Sequence, residues 1–324
     1  MSKVLITGGC GFIGSHLVEL CVARGFNVVV FDRYNPSNDW GCLEKSEYKD
    51  DIEVILGDVR DYDSVSKAMA GCGVVFHLAA LIGIPFSYVS PLAYVRTNVE
   101  GTYNILEAAK NLGVDQILIT STSETYGSAQ YIPIDEQHPM VGQSPYSATK
   151  IAADQLAISY FMSFELPVKV VRPFNTYGPR QSARAVIPTV ITQVLSGREV
   201  IKLGNLAPTR DLTYVRDTCT GFLEIYESEI FFGGVTNIGM NKDISIGDLA
   251  EKIVGLMGSN TEIIQDQERL RPEQSEVVRL ICNNEKILKS TEWKPEYDLD
   301  IGLKETINWF KETDNIYKPQ IYNF

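Results

Sequence analysis

Lys3-Val4-Leu5-Ile6-Thr7-Gly8-Gly9-Cys10-Gly11-Phe12-Ile13-Gly14 opens the chain, and Phe26-Asn27-Val28-Val29-Val30-Phe31-Asp32 follows one helix-length later. An apolar strand, a glycine turn, a helix (Ser15 to Arg24), a second strand and an acid at its end are the parts of a dinucleotide site. Gly8 can take the positive φ of a tight strand-to-helix turn, Gly11 lets backbone approach a pyrophosphate, and Gly14 lets the helix pack close to the strand. Phe12 and Ile13, between the last two glycines, are candidate cofactor contacts, and the free N–H groups of the helix start suit phosphate oxygens. Asp32, at the end of the second strand, would accept hydrogen bonds from a ribose 2′-hydroxyl and repel a 2′-phosphate, which favours NAD. Arg33 beside it leaves NADP open.

With 324 residues and 44% hydrophobic content the chain can bury a large core, and its length suggests about two domains. A net charge of −12 opposes a nucleic-acid or anionic-membrane surface, so any phosphate-bearing ligand has to be held by local arginines. Cysteines 10, 21, 42, 72, 219 and 282 form no CxxC pair and meet no His cluster, so they read as reduced packing residues in a cytoplasm, without a metal site. The first strand begins at Lys3 with no targeting segment before it. The most apolar stretch, Gly73 to Val89, is broken by His77, Gly83 and Pro85 and falls short of a membrane span. A cytoplasmic enzyme is the expectation.

Apolar runs at Val4–Thr7, Asn27–Asp32, Glu53–Gly57, Val74–Leu78, Gln116–Ser121 and Val168–Arg172 read as buried parallel strands, with crossover helices between them. The expected fold is α/β, a doubly wound parallel sheet of Rossmann type with a smaller C-terminal α/β domain capping the substrate. Residues 1–173 would form the first domain and 174–324 the second, with a partly strand-like segment near 213–239 returning to the first. In such a sheet the ligand crevice lies beyond the strand C-termini. Thr7, Asp32, Asp58, Leu78-Ala79-Ala80, Ser121-Thr122-Ser123-Glu124 and Arg172-Pro173-Phe174-Asn175 should therefore face one cleft, followed by a loop from Pro173 to Pro188.

Ser144-Pro145-Tyr146-Ser147-Ala148-Thr149-Lys150 carries the chemistry. Ser144 is a good N-cap and Pro145 a good first helical residue, so a helix begins here. Tyr146 and Lys150 then share a helical face. An ammonium beside a phenol lowers the phenol pKa, giving a proton acceptor for an alcohol oxidised by a neighbouring nicotinamide.

Thr7-Gly8-x-x-Gly11-x-x-Gly14 combined with Tyr146-x-x-x-Lys150, in a chain of this length, resembles the extended short-chain dehydrogenase/reductase superfamily of nucleotide-sugar enzymes over essentially its whole length. The resemblance implies Asp58 and Val59 at the adenine, Leu78, Ala79, Ala80 and Asn98 along the cofactor, and Thr122 on the sugar C4 hydroxyl. It leaves 4-epimerases, 4,6-dehydratases, decarboxylases and reductases open. Glu124, in Ser121-Thr122-Ser123-Glu124-Thr125-Tyr126-Gly127, favours dehydration, since an epimerase has no use for a carboxylate beside the sugar. A 4-ketone acidifies the C5 proton, Glu124 removes it, and water leaves from C6. Enzymes acting on dTDP-glucose look like Thr-Asp-Glu at this point. Ser123 is a poor acid and would orient a proton, leaving Glu124 to serve both steps. The Thr-Ser-Glu form is similar to GDP-mannose 4,6-dehydratases and to UDP-glucuronate decarboxylases alike.

Asn175 to Pro188, with Pro208 to Asp217, resembles the legionaminate-pathway dehydratases that act on nucleotide-linked N-acetylglucosamine. The first expectation is therefore a GDP-N-acetylglucosamine 4,6-dehydratase. The UDP-linked counterpart, a UDP-glucuronate decarboxylase and a 4-epimerase are alternatives, as is a redox-sensing dinucleotide-binding protein, against which Tyr146, Lys150 and Glu124 speak. Arg180, Arg184, Arg210 and Arg271 could clamp the diphosphate with guanidinium forks, and Asn175 could donate its amide to a sugar-phosphate oxygen. Two apolar helix faces, one with Ile151, Ala152, Ala153, Leu156, Ala157, Ile158, Tyr160 and Phe161, the other with Val99, Tyr103, Leu106 and Leu112, would build the four-helix homodimer seam typical of the family.

Overall fold

Val4, Leu5 and Ile6 are fully buried on both faces of β1 (Lys3–Thr7), as a strand covered by helices on each side requires. A computed structural model describes residues 3–313, so residues 314–324 of the expected second domain lie outside the described residues. β2 (Asn27–Arg33), β3 (Ile52–Gly57), β4 (Val74–His77), β5 (Gln116–Thr120) and β6 (Val168–Pro173) follow the expected runs to within a residue or two. After β7 (Asn175–Tyr177), β8 (Val200–Leu203) and β9 (Thr209–Tyr214), β10 (Val235–Ile238) returns to pair with β6. The main sheet is thus seven-stranded in the order β10-β6-β5-β4-β1-β2-β3, with every neighbouring pair parallel. It is the doubly wound Rossmann-type sheet read from the sequence.

Side chains leave a strand alternately on its two faces. Val4, Ile6, Val28 and Val30 meet Leu17 and Val18 of α1 (Phe12–Ala23) and residues of a late helix on one side. Leu5, Val29 and Val75 meet α2 (Tyr62–Met69) and later helices on the other. The chain between β4 and β5 forms α3 (Ile84–Val89), α4 (Pro91–Tyr94), a π-helical stretch at Val95–Glu100 and α5 (Gly101–Leu112). α6 (Pro145–Phe164) packs beside α5. Its start is capped reciprocally: Ser147 N–H donates to Ser144 Oγ at 3.1 Å and Ser144 N–H to Ser147 Oγ at 3.0 Å. None of the described helices is long and apolar enough to cross a membrane.

Three expectations need correction. The first helix starts at Phe12, directly after the glycine turn, and not at Ser15. Asn175-Thr176-Tyr177, read as loop, is a strand because it finds a parallel partner in Leu212-Thr213-Tyr214. That pairing founds a second sheet, in which β9 also holds β11 (Asp243–Ser245); β12 (Glu262–Gln265) pairs with β8, and β13 (Arg279–Leu280) with β9. Leu106, Ala153 and Ala157, assigned to a dimer seam, are fully buried inside the subunit under α5 and α6.

Candidate active site

Gly8 has φ +72°, its N–H donates to Phe31 O at 2.8 Å, and a Cβ there would stand 2.7 Å from Ala79 N. A Cβ on Gly14 would meet Gly8 O at 2.2 Å. Both positions therefore exclude side chains, and the turn closes directly onto the start of α1. Asp32 fixes this turn from the end of β2: its Oδ2 accepts from Cys10 N–H and its Oδ1 from Arg33 N–H, each at 2.7 Å. Arg33 itself is exposed. Arg60 Nε donates to Asp58 Oδ1 at 2.9 Å, and this guanidinium holds the Asp58 carboxyl below the usual range. Val59 is set by Asn104, whose Nδ2 donates to its carbonyl at 2.9 Å. Leu78 N–H donates to Thr7 O at 3.0 Å and Ala79 N–H to Thr7 Oγ1 at 3.3 Å, so the strand end before Ala80 is locked to β1. The cradle that a Cβ would fill, the carboxylate across it and the helix start together fit a dinucleotide.

Asn98 spends its amide on the protein. Its Oδ1 accepts from Leu81 N–H at 2.8 Å, and its Nδ2 donates to Leu81 O at 2.9 Å and Thr149 Oγ1 at 3.1 Å. These bonds hold the loop after β4, on which the cofactor is expected to lie.

At the end of β5, Thr122 caps a short 3-10 turn (Ser123–Tyr126) by accepting Glu124 N–H at 3.3 Å. Ser123 is buried in that turn, and Glu124 is half-buried. Tyr146, on the first turn of α6, stands edge-on to Tyr94 with ring centroids 6.2 Å apart. Burial pushes the Tyr146 phenol well above the usual tyrosine range; the Thr122 hydroxyl works against that shift, and the Glu124 charge adds to it. Lys150 is buried and its Nζ donates to Thr120 O at 2.5 Å. Burial pulls Lys150 down to about 8, with Asp154 opposing. The expected lowering of the phenol is outweighed by burial, while the Lys150 ammonium donates to Thr120 O.

The arginines divide. Arg210, almost fully buried, directs Nη2 to Glu276 Oε1 at 3.4 Å, and Arg271 Nη1 reaches the same oxygen at 3.6 Å. The charge of Glu124 acts on Arg210 as well as on Tyr146, so phenol, carboxylate and guanidinium form one group. Arg184 is exposed and runs past Gly83, its Cδ and Nη1 3.7 Å from where a Cβ there would stand. Asn175 keeps a buried Oδ1 that has no hydrogen-bond partner among the described residues. Arg180 follows a turn at Gly178–Arg180 (φ +153° and +70°) that reverses the chain toward α1; its Nη2 pairs with Glu19 Oε1 at 2.8 Å, and its Nη1 is buried with no hydrogen-bond partner among the described residues. Arg172, placed among the cleft-facing strand ends, is instead buried in an ion pair with Asp154 at 2.6 Å. Sequence reasoning missed Asp154 and Glu276; the spacing of Asp154 one turn beyond Lys150 was the available signal.

The sequence signature of the family described as GDP-mannose 4,6 dehydratase matches residues 5–306. A putative UDP-glucose 4-epimerase of Methanocaldococcus jannaschii is 32% identical, with 96% of this chain and 99% of that protein covered. A UDP-N-acetyl-alpha-D-glucosaminuronate decarboxylase of Bacillus cytotoxicus is also 32% identical, covering 97% and 99%. Among solved structures, the dTDP-glucose 4,6-dehydratase DesIV of Streptomyces venezuelae, with NAD and TYD bound, is similar at a TM-score of 0.88 and 26% identity over 96% of this chain and 97% of that one.

Proposed function

This chain belongs to the GDP-mannose 4,6 dehydratase family, within the extended NAD-dependent nucleotide-sugar enzymes, and we propose that it dehydrates a nucleotide-linked N-acetylhexosamine across C5 and C6, GDP-N-acetylglucosamine first and its UDP counterpart second. The observation that carries this reading is Glu124, set by the Thr122 cap in one electrostatic group with Tyr146 and Arg210. The stretches from Asn175 and from Pro208, similar to legionaminate-pathway dehydratases, support the choice of sugar.

NAD, held by the Gly8–Gly14 turn and Asp32, would take up the C4 hydride and return it at C6 while C5 gains a solvent proton, leaving a 4-keto-6-deoxy sugar and the cofactor as it began. The remaining chemistry falls to side chains. Tyr146 Oη receives the C4 hydroxyl proton. Burial resists loss of the phenol's own proton, and the Lys150 ammonium, one turn along the same face of α6, would work against that resistance. Glu124 then removes the C5 proton, acidified by the C4 ketone, and returns a proton to the departing C6 oxygen. Arg210 and Arg271, converging on Glu276, and Asn175 with its open Oδ1 would serve the nucleotide-sugar.

A panel of GDP- and UDP-sugars, turned over in heavy water and read by mass, tests the reading. The expected product is lighter by one water and carries solvent deuterium beside its carbonyl. Carbon dioxide release from a nucleotide uronate, with no water lost from any hexosamine, would make the chain a decarboxylase, a reaction class shared by the Bacillus cytotoxicus relative.

Exposed Val95, Tyr103, Leu112 and Met162 lie on α5, α6 and the stretch leading into α5. We read them as a homodimer face. Sedimentation should give twice the chain mass, and Tyr103→Asp should give a monomer; a wild-type monomer rejects the seam.

A further inference from the structure

Two hydrogen bonds clip the segment before α6 to the turn that carries Glu124. Val141 N–H donates to Thr125 O at 2.9 Å, and Ser128 N–H donates to Gln143 Oε1 at 2.5 Å. Gly127, at φ +66°, closes the turn, and a Cβ there would stand 2.7 Å from Val141 O and 2.8 Å from Gln143 Oε1. From the other side comes a strap leading toward β13, Pro272 to Glu276, wound through a 3-10 turn (Glu273–Ser275). Gln143 Nε2 donates to Gln274 O at 2.9 Å, and Ser275 Oγ donates to Gln143 O at 2.7 Å. With the Ser275 hydroxyl proton so committed, Tyr88 Oη of α3 is the donor in its 2.5 Å bond to Ser275 Oγ. The next residue, Glu276, is the carboxylate on which Arg210 and Arg271 converge.

Resting on the reading of Glu124 as base and of Arg210 and Arg271 as partners of the nucleotide-sugar, we propose that Gln143 is a positioning residue that joins the two, tying the strap that holds the arginines to the turn that sets Glu124. Its side chain suits the task chemically. Ser128 N–H requires an acceptor, Gln274 O requires a donor, and one planar amide supplies both at its two ends. A carboxylate would keep the acceptor but set an oxygen against the Gln274 carbonyl, and an apolar chain would offer neither. Gln143 also directly precedes Ser144, the N-cap of α6. The junction therefore touches the three pieces that carry Glu124, Tyr146 and the Glu276 partner of the arginines.

The strap has a second hold. Val277 is buried in one cluster with Tyr126, Phe174 and Leu280, so its far end stays in place when the amide is lost. That apolar contact also leads to the Glu124 turn, through Tyr126, and is the competing route between strap and turn. Substitutions tell the routes apart. Ser275→Ala frees the strap from Gln143 O and Tyr88 without altering any atom bonded to the turn. Gln143→Leu cuts the amide on both sides, and Gln143→Glu cuts only the side of Gln274. In turnover, Ser275→Ala should raise KM more than it lowers kcat. Gln143→Leu should lower kcat as well, and Gln143→Glu, which keeps the acceptor for Ser128 N–H, should recover kcat but not KM.

Hydrogen exchange of the NAD-loaded protein, read on peptides spanning 123–130 and 267–278, tests the link without turnover. Ser275→Ala should quicken exchange in 123–130 about two- to tenfold, the worth of one hydrogen bond. Gln143→Leu should quicken both peptides, and adding Ser275→Ala to it should change 123–130 no further. Unmoved exchange in 123–130 for Ser275→Ala, or an undiminished effect of Ser275→Ala on top of Gln143→Leu, overturns the proposal and assigns the contact to Val277. Where Gln143→Leu does not fold, Gln143→Glu takes its place in the cycle, and the effect of Ser275→Ala on 123–130 should shrink; a full effect overturns the proposal. A merely structural role would lower the melting temperature of each variant and give equal kcat losses for Gln143→Leu and Gln143→Glu. Linked exchange in a chain that dehydrates no sugar would reject the proposed function and keep this junction, and a dehydratase with unlinked exchange would do the reverse.

Discussion

Glu124→Gln stops water loss from the sugar while C4 oxidation still proceeds, so reduced nicotinamide accumulates without a deoxygenated product. The substitution keeps the shape of the side chain and leaves the bond from residue 124 N–H to Thr122 Oγ1 untouched. What it removes is the ability to accept a proton from C5. A positioned general base contributes about 10²- to 10⁴-fold, and the dehydration rate should fall by that much. Arg210 and Arg271 retain Glu276 as their shared carboxylate, so nucleotide-sugar affinity should change little by comparison. Product formation followed by mass, together with the absorbance of reduced nicotinamide, separates the two half-reactions. Wild-type dehydration in the variant would remove Glu124 from the chemistry, and with it the ground for preferring a dehydratase over an epimerase.

How much of this was legible in advance depended on the range of the interactions. The strand, glycine turn and helix at the N-terminus are short-range stereochemistry: Gly8 carries a φ of +72°, and a Cβ on Gly14 would strike Gly8 O. The Ser144 capping box lies within four residues. The second sheet was invisible because β7 and β13, three and two residues long, exist only through their partner β9. The arginines could not be told apart for a related reason. A guanidinium in a turn suits phosphate or a carboxylate equally well, and only the path of the chain sends Arg180 to Glu19 while bringing Arg210 and Arg271 to Glu276. Lys150 shows the same limit at closer quarters. Its spacing from Tyr146 was readable, but the Thr120 carbonyl that takes its ammonium belongs to a strand thirty residues earlier.

Arg172→Met destabilises the fold more than any other substitution considered, because it strands Asp154. Removing one member of a buried ion pair costs about 3–5 kcal/mol, since the remaining charge keeps its desolvation penalty and loses its partner. Both groups are essentially without solvent contact, and Ser121 remains as a neutral donor only. The lost cation-π contact with Tyr126 adds about 0.5–2 kcal/mol. Combining Arg172→Met with Asp154→Asn should recover most of the deficit, because no unpaired ion remains and a buried pair is often replaceable at small net cost. Urea denaturation of wild type, both single variants and the double variant closes the thermodynamic cycle. A double variant as unstable as the sum of the singles would show that the two side chains are not coupled, and that α6 is anchored to β5 and β6 by something other than this pair.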